Sequence, residues 1–275
     1  MLRQRLITGL LLAAAFAAAL YWLPPAVLLG LSAAVVLLGA WEWGGLAGLA
    51  GAARFAYVLA MAGALFLCHR FWPVVGLPVL VAAGLWWLLM LWWVLTFPRS
   101  AACWGSTAGT SLMGIGVLVP AWAAVHWLLN VPGAALWFGA VVVITASADI
   151  GAFFGGRRFG RNRLAPAVSP GKTWQGVFCG LALALAVGML LANPLELAAR
   201  WPLWLAVVGM TVGAGVLGDL GESMVKRHHG VKDSGSVLPG HGGVLDRIDS
   251  LSAALPIYAL GLALVDLAAG PLPRP

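Results

Sequence analysis

Charge is what this chain has least of. Asp, Glu, Lys and Arg together make up 9% of its 275 residues, against roughly a quarter in an ordinary soluble domain, and residues 100–148 contain none of the four. That excludes a soluble globular protein with a solvated, charged surface. Cysteine is scarce as well: Cys68, Cys103 and Cys179 form no CxxC pair and no metal-ligand spacing, so neither a disulfide framework nor a cysteine-held metal is expected. Three familiar catalytic signatures are absent. Without GxxxxGK[ST], HExxH or GxSxG there is no support for a P-loop nucleotidase, a zincin or an α/β-hydrolase.

What is present is apolar surface. Hydrophobic residues make up 62% of the chain, with 15 Trp and 36 Gly, and the mean hydropathy is +0.96. Lipid tolerates apolar side chains on every face of a helix, and small residues let helix backbones approach closely. A spanning helix needs about 20 mostly apolar residues to cross roughly 30 Å of hydrocarbon. That rule predicts an all-α polytopic membrane protein of about nine spans: 6–23, 26–41, 55–69, 73–97, 109–129, 132–148, 174–192, 202–220 and 251–270. The second, third and sixth are short, which leaves eight as the other count. Arg3 and Arg5 precede the first run as they would in a signal peptide, but a run followed by many like it reads as a retained first helix.

The charges fix an orientation. Cytosolic loops carry the excess of Lys and Arg, and nine helices with a cytosolic N-terminus place 13 of the 16 basic residues inside. Arg70, Arg200 and Arg274 are then outside, with the C-terminal tail, 270–275. The formal net charge of +7 therefore belongs to membrane-flanking loops, and no nucleic-acid partner is expected.

Composition shifts near residue 149, dividing a 1–148 transmembrane region that reads as scaffold from a 149–275 region that carries the chemistry. Two polar segments stand out there. Residues 149–176, DIGAFFGGRRFGRNRLAPAVSPGKTWQG, begin with a carboxylate at the expected end of the sixth helix. They continue into glycine and arginine, a combination that permits close backbone approach and planar pairing with phosphate; lipid head-group contact is the simpler reading of the arginines. Residues 218–250 hold five of the nine acids, Asp219, Glu222, Asp233, Asp246 and Asp249, together with Lys226, Arg227, Lys232, Arg247 and three of the five histidines.

If the eighth helix runs on, Asp219, Glu222, Ser223 and Lys226 share one face at i, i+3, i+4 and i+7. Asp246 and Asp249, three apart, open the last helix after a Gly-rich turn. His228 and His229 are adjacent, which is poor chelating geometry, while His241 sits between glycines where it either meets phosphate or holds the turn. Hard carboxylate oxygens beside Lys, Arg and Gly suit Mg²⁺ bridging to a polyphosphate, and cations around phosphate suit transfer at phosphorus between a soluble polyphosphate and a lipid.

The residues also carry a resemblance. The run SMVKRHHGVKDSGSVLPGHGGVLDRIDS, residues 223–250, resembles the C-terminal signature of the phosphatidate cytidylyltransferase (CDP-diacylglycerol synthase) family. The match falls on Ser223, Lys226, Arg227, Lys232, Asp233, Pro239 to Gly243, Asp246, Arg247 and Asp249. Gly218, Asp219 and Glu222, Asp149 with its Gly-rich sequel, and SPGKTWQG at 169–176 are similar to the family too. Gly171 and Gln175 depart from it, standing where members commonly carry Lys and Glu; Gln175 cannot serve as an anionic ligand.

The resemblance implies a reaction of CTP with phosphatidate at the cytosolic face of the inner membrane, giving CDP-diacylglycerol and diphosphate. It implies Mg²⁺, a second cation such as K⁺, and a homodimer. Asp219, Lys226, Arg227, Lys232, Asp246 and Arg247 are the catalytic candidates, and Asp219, Asp246 and Asp249 the metal candidates. Ser169, Lys172, Thr173, Ser223, Asp233, His241, Gly242 and Gly243 are candidates for substrate binding, with Asp149 and Glu222 behind them. A CTP-dependent polyprenol or dolichol kinase pairs the same nucleotide with a lipid and is the nearest rival. A transporter would put its charges near the bilayer midplane, a CDP-alcohol phosphotransferase lacks its DG..AR pattern here, and a pure scaffold leaves the acidic segment without a purpose.

Overall fold

A computed structural model describes residue 15 and residues 17–235 and 242–272. The described residues form a helical bundle with one small hairpin: α1 (Pro25–Leu46), α2 (Gly51–Arg70), α3 (Trp72–Thr96), a single turn α4 (Ala101–Trp104), α5 (Thr107–Leu129), α6 (Ala134–Phe159), β1 (Arg163–Ala165), β2 (Ser169–Thr173), α7 (Trp174–Ala192), α8 (Trp201–His228) and α9 (Leu245–Ala269). Eight of these helices are long and apolar enough to cross a membrane. The expected first span, 6–23, falls mainly outside the described residues.

The helices start where local chemistry starts them. Proline in the first turn opens α1, α3 and α8, where its missing N–H costs nothing. Ser106 and Thr173 cap α5 and α7 by accepting from Gly109 N and Gly176 N. Several helices run further than hydropathy predicts: α1 passes 41 to reach Leu46 and takes Glu42 with it. α6 continues eleven residues past 148 to Phe159, α8 passes 220 to reach His228, and α9 begins at Leu245 instead of 251. Hydropathy ends where charge begins, but Asp, Arg and Lys are compatible with a helical backbone, so the helices carry their charged residues with them.

Within the bundle α6 packs on α7 and α8 on α9, while α5 meets α1 and α9. The apolar windows of α5 and α9 are 67% and 61% buried, against 22% and 28% for α2 and α3. The first pair is therefore the centre and the second the periphery, where Leu59, Phe66, Val74, Leu85 and Leu88 are exposed as lipid would require. The core has two apolar zones. Trp43, Met61, Met90, Trp104, Met113 and Met224 fill the one nearer the polar segments, and Trp137, Ile144, Trp204, Tyr258 and Leu262 fill the other.

Candidate active site

The site begins with two backbone-to-backbone helix contacts. A methyl group at Gly180 would stand 2.5 Å from the Ala148 carbonyl oxygen, and one at Gly151 would stand 2.8 Å from that of Cys179. Glycine at these positions lets α6 and α7 touch closely, setting Asp149 level with the second turn of α7, while Gly156 and Gly160 lie beside its first turn. At the second contact a methyl on Gly218 would overlap the Asp249 carbonyl oxygen and approach Ala253 Cβ at 3.1 Å. The α8–α9 crossing therefore sets Asp219 close to Asp249.

Between α6 and α7 the SPGKT stretch folds back as an antiparallel hairpin, Arg163 opposite Thr173. Gln175 holds it: its side-chain carbonyl accepts from Arg161 N and Asn162 N, both at 3.1 Å. A glutamate there would offer the same acceptor, so the departure at this position leaves the structural contact intact. Lys172 reaches from β2 to Asp219 Oδ2 at 2.6 Å, and Arg227 Nε donates to the Val168 carbonyl at 3.3 Å. Both polar segments are thereby tied together.

The acids are not equivalent. Ser223 Oγ donates to Asp219 Oδ1 at 3.2 Å. Asp246 accepts at Oδ1 from Lys226 Nζ at 2.6 Å, and at Oδ2 from Ser234 N at 3.1 Å, Ser234 Oγ at 3.1 Å and Gly243 N at 2.9 Å. Asp249 Oδ1 accepts from Ser250 N at 2.7 Å. Glu222 is buried on the inner side of α8, where Lys226 Nζ lies 3.0 Å from Oε1, close enough for an ion pair but not aligned as a hydrogen bond.

Two hollows meet at these acids. A cavity of about 680 Å³ between α6, α7, α8 and α9 has Asp149, Lys172, Thr173, Asp219, Asp246 and Asp249 in its wall, together with the apolar Phe153, Val177, Val212 and Val216. A polar cleft of about 260 Å³ is lined by Ser223, Lys226, Arg227, Lys232, Asp233, Asp246, Arg247 and Asp249. Asp246 and Asp249 belong to both.

Most of the residues expected from sequence thus converge. Ser169 lies on β2 opposite Ala165 and lines neither hollow, while the Thr173 hydroxyl oxygen caps α7. Gly242 and Gly243 stand behind Asp246, Gly242 with φ +80° and Gly243 donating its N–H. His241 lies outside the described residues. His228 and His229 face away, their Nε2 atoms meeting the Gly105 carbonyl at 3.1 Å and Thr110 Oγ1 at 3.3 Å; burial, then the neighbouring His228, pulls the His229 imidazole below its ordinary range.

Sequence reasoning missed Ser234 and Glu42. Glu42, 1% exposed on α1, accepts from Val244 N, Leu245 N and Ser234 Oγ. It stood out in composition as the one acid before Asp149, but nothing in the sequence tied it to the site.

Among the described residues no three His, Cys, Asp or Glu side chains converge as a metal-ligand set. Asp219 and Asp246 instead each hold a lysine ammonium at 2.6 Å, so the carboxylates on this wall already bind cations. Magnesium commonly takes one or two carboxylates and completes its shell with water and substrate phosphate. The donor chemistry fits it.

Comparison with known proteins agrees with this geometry. The model of the cytidylyltransferase family matches residues 3–265. The phosphatidate cytidylyltransferase of Pseudomonas aeruginosa is 43% identical over 262 residues, covering 94% of this chain and 96% of that protein. The enzyme of the same name from Haemophilus influenzae is 35% identical over 281 residues, with 94% and 98% covered. A chloroplastic phosphatidate cytidylyltransferase of Arabidopsis thaliana is 41% identical over 155 residues, 53% of this chain and 36% of its own length. A multi-pass helical bundle that gathers acids and lysines at the meeting of an apolar cavity and a polar cleft, matched almost end to end, belongs to the cytidylyltransferase family.

Proposed function

We propose that this chain transfers the cytidylyl group of CTP to the phosphate of phosphatidate, releasing diphosphate and leaving CDP-diacylglycerol in the membrane. The names of its relatives support the substrates. The observation that carries the reading is the pair of hollows sharing Asp246 and Asp249. One is mostly apolar and opens among membrane helices, as a lipid head group with its chains requires. The other is polar and basic, as a triphosphate requires.

The attacking group is a phosphate monoester oxygen, already ionised near neutrality, so no strong general base is needed. A bond forms from that oxygen to the α-phosphorus of CTP, and the bond from the α-phosphorus to the bridging oxygen breaks, its electron pair leaving with diphosphate. The difficulty is anion approaching anion. Lys226, Arg227, Lys232 and Arg247 in the cleft hold the triphosphate and the leaving diphosphate, while Lys172 on the cavity side faces the lipid phosphate. Fixed cations placed around the phosphates stabilise the charge that develops on them during transfer. Asp219 and Asp246 would hold Mg²⁺, with Asp249 the next ligand; the bound ion supplies charge neutralisation and alignment of the phosphates. Asp149, Ser223 and Asp233 orient groups at the edges, and a second cation such as K⁺ and a homodimer complete the reading.

The division into a 1–148 scaffold and a 149–275 catalytic region belongs to it as well. So does the topology, with the site on the cytosolic side of the inner membrane, as the bias of Lys and Arg to that side supports.

Purified protein with Mg²⁺, phosphatidate and α-labelled CTP tests the proposal. Label should enter a lipid and diphosphate should appear in equal amount, and Asp246→Asn should abolish both. A CTP-dependent lipid kinase would leave the α-label in soluble CDP, and that result would overturn the assignment.

A further inference from the structure

Glu42 is an acid in the wrong half of the molecule. It lies on α1, in a WEW triplet whose second Trp is core, yet its carboxylate works entirely on residues near Asp246. Oε1 accepts from Val244 N at 2.9 Å and Oε2 from Leu245 N at 2.8 Å. Ser234 Oγ lies 3.2 Å from Glu42 Oε2 and 3.1 Å from Asp246 Oδ2, so a single hydroxyl hydrogen stands between two carboxylates. Among the described residues Glu42 has no Lys or Arg partner.

A buried carboxylate without a cation is costly unless its oxygens are fully used. Here they satisfy amides at the start of α9, which an ordinary helix would satisfy locally; the residue at that position, Val244, has no side chain able to do so. The local glycines fit around the same carboxylate. A methyl at Gly235 would stand 2.6 Å from Glu42 Oε1, and one at Gly243 would stand 2.6 Å from Oε2. Two loop ends, a helix start and a serine are therefore shaped to one side chain contributed by another helix.

We infer that Glu42 is a positioning residue for the transfer reaction: through Val244, Leu245 and Ser234 it fixes the first turn of α9, and with it the direction in which Asp246 presents its carboxylate to the two hollows. This rests on the reading of Asp246 given above. A residue that merely stabilised the fold would lower melting temperature and activity together. A positioning residue lowers turnover and cation binding while the bundle stays folded.

The test uses the full-length enzyme in detergent, as Glu42→Gln, Glu42→Asp and Ser234→Ala. Glutamine keeps the shape but turns one acceptor into a donor facing an N–H. Steady-state kinetics, Mn²⁺ binding by electron paramagnetic resonance without substrates, amide exchange of the 242–247 segment and melting temperature are read for each. Glu42→Gln is expected to stay folded but to melt below wild type, since charge-assisted hydrogen bonds are lost, and to lose roughly tenfold to hundredfold in kcat at temperatures where it is still fully folded. Mn²⁺ affinity should fall with it, KM for phosphatidate should hold, and Val244 and Leu245 should exchange faster. Glu42→Asp should recover part of the loss, and Ser234→Ala should show a smaller loss that does not multiply with that of Glu42→Gln.

Wild-type kcat and Mn²⁺ affinity in Glu42→Gln, or losses that follow melting alone, would overturn the inference. Should that variant fail to fold, Ser234→Ala decides by the same criteria. Full activity in Asp246→Asn would instead remove the site reading, while the exchange data still report whether Glu42 holds α9.

Discussion

Removing the ammonium of Lys226 is the sharpest perturbation the structure offers. Its Nζ lies 2.6 Å from Asp246 and 3.0 Å from Glu222, with side-chain exposures of 12% for Lys226, 12% for Asp246 and 3% for Glu222. At that depth solvent screening is weak, and breaking a buried pair by deleting one partner costs about 3–5 kcal/mol because the other charge is left uncompensated. Asp246 keeps three donors from Ser234 and Gly243; Glu222 keeps none aligned to Oε1. The penalty of Lys226→Met should therefore fall mainly on Glu222, bounded by the cost of that buried carboxylate taking up a proton. At about 2–4 °C per kcal/mol, the variant should melt roughly 6–20 °C below wild type, measured by fluorescence-detected size exclusion after heating in detergent. Adding Glu222→Gln should raise the melting temperature of Lys226→Met by removing the stranded charge, while turnover stays lost in both. Unchanged melting in the single variant, or a double variant less stable than the single, would refute the electrostatic account.

Two further outcomes follow from packing and from the hairpin. Gly218→Val should push α8 from α9, where the added carbons meet the Asp249 carbonyl and Ala253, costing about 1–3 kcal/mol and most of the turnover; Gly213→Ala, with open space around it, should behave as wild type in the same melting and activity assays. Gln175→Glu should leave activity near wild type because it keeps the acceptor for Arg161 N and Asn162 N, whereas Gln175→Leu should cost about 1 kcal/mol and speed tryptic cleavage at Arg161 and Arg163.

Much of this molecule was legible in its sequence, for identifiable reasons. Spans such as 109–129 and 174–192 agree with α5 and α7 to within two residues, since apolar runs and helix caps coincide there. The face shared by Asp219, Ser223 and Lys226 follows from helical spacing once α8 is known to continue to His228. The helix ends beyond 148 and 220 were hidden, because a hydropathy rule reports solvent and not backbone hydrogen bonding. The hairpin was hidden because strands of three and five residues, the second broken by Pro170 and Gly171, leave no alternation to read. Glu42 was hidden most deeply. Its partners are 192 to 203 residues away, and no local pattern relates an acid in an apolar helix to the start of the last one.

That separation has a consequence for how the protein is made. At roughly 5–20 residues per second, the ribosome delivers Val244 and Leu245, 202 and 203 residues after Glu42, some 10–40 s later. During that interval α1 carries a carboxylate whose final donors do not yet exist, in a helix otherwise suited to lipid. The newborn bundle must keep that end of α1 wet or sheltered until α9 arrives, and the reaction centre closes only with the last helix. Assembly of this protein is in that sense ordered by one side chain, with its first described span waiting for its final one.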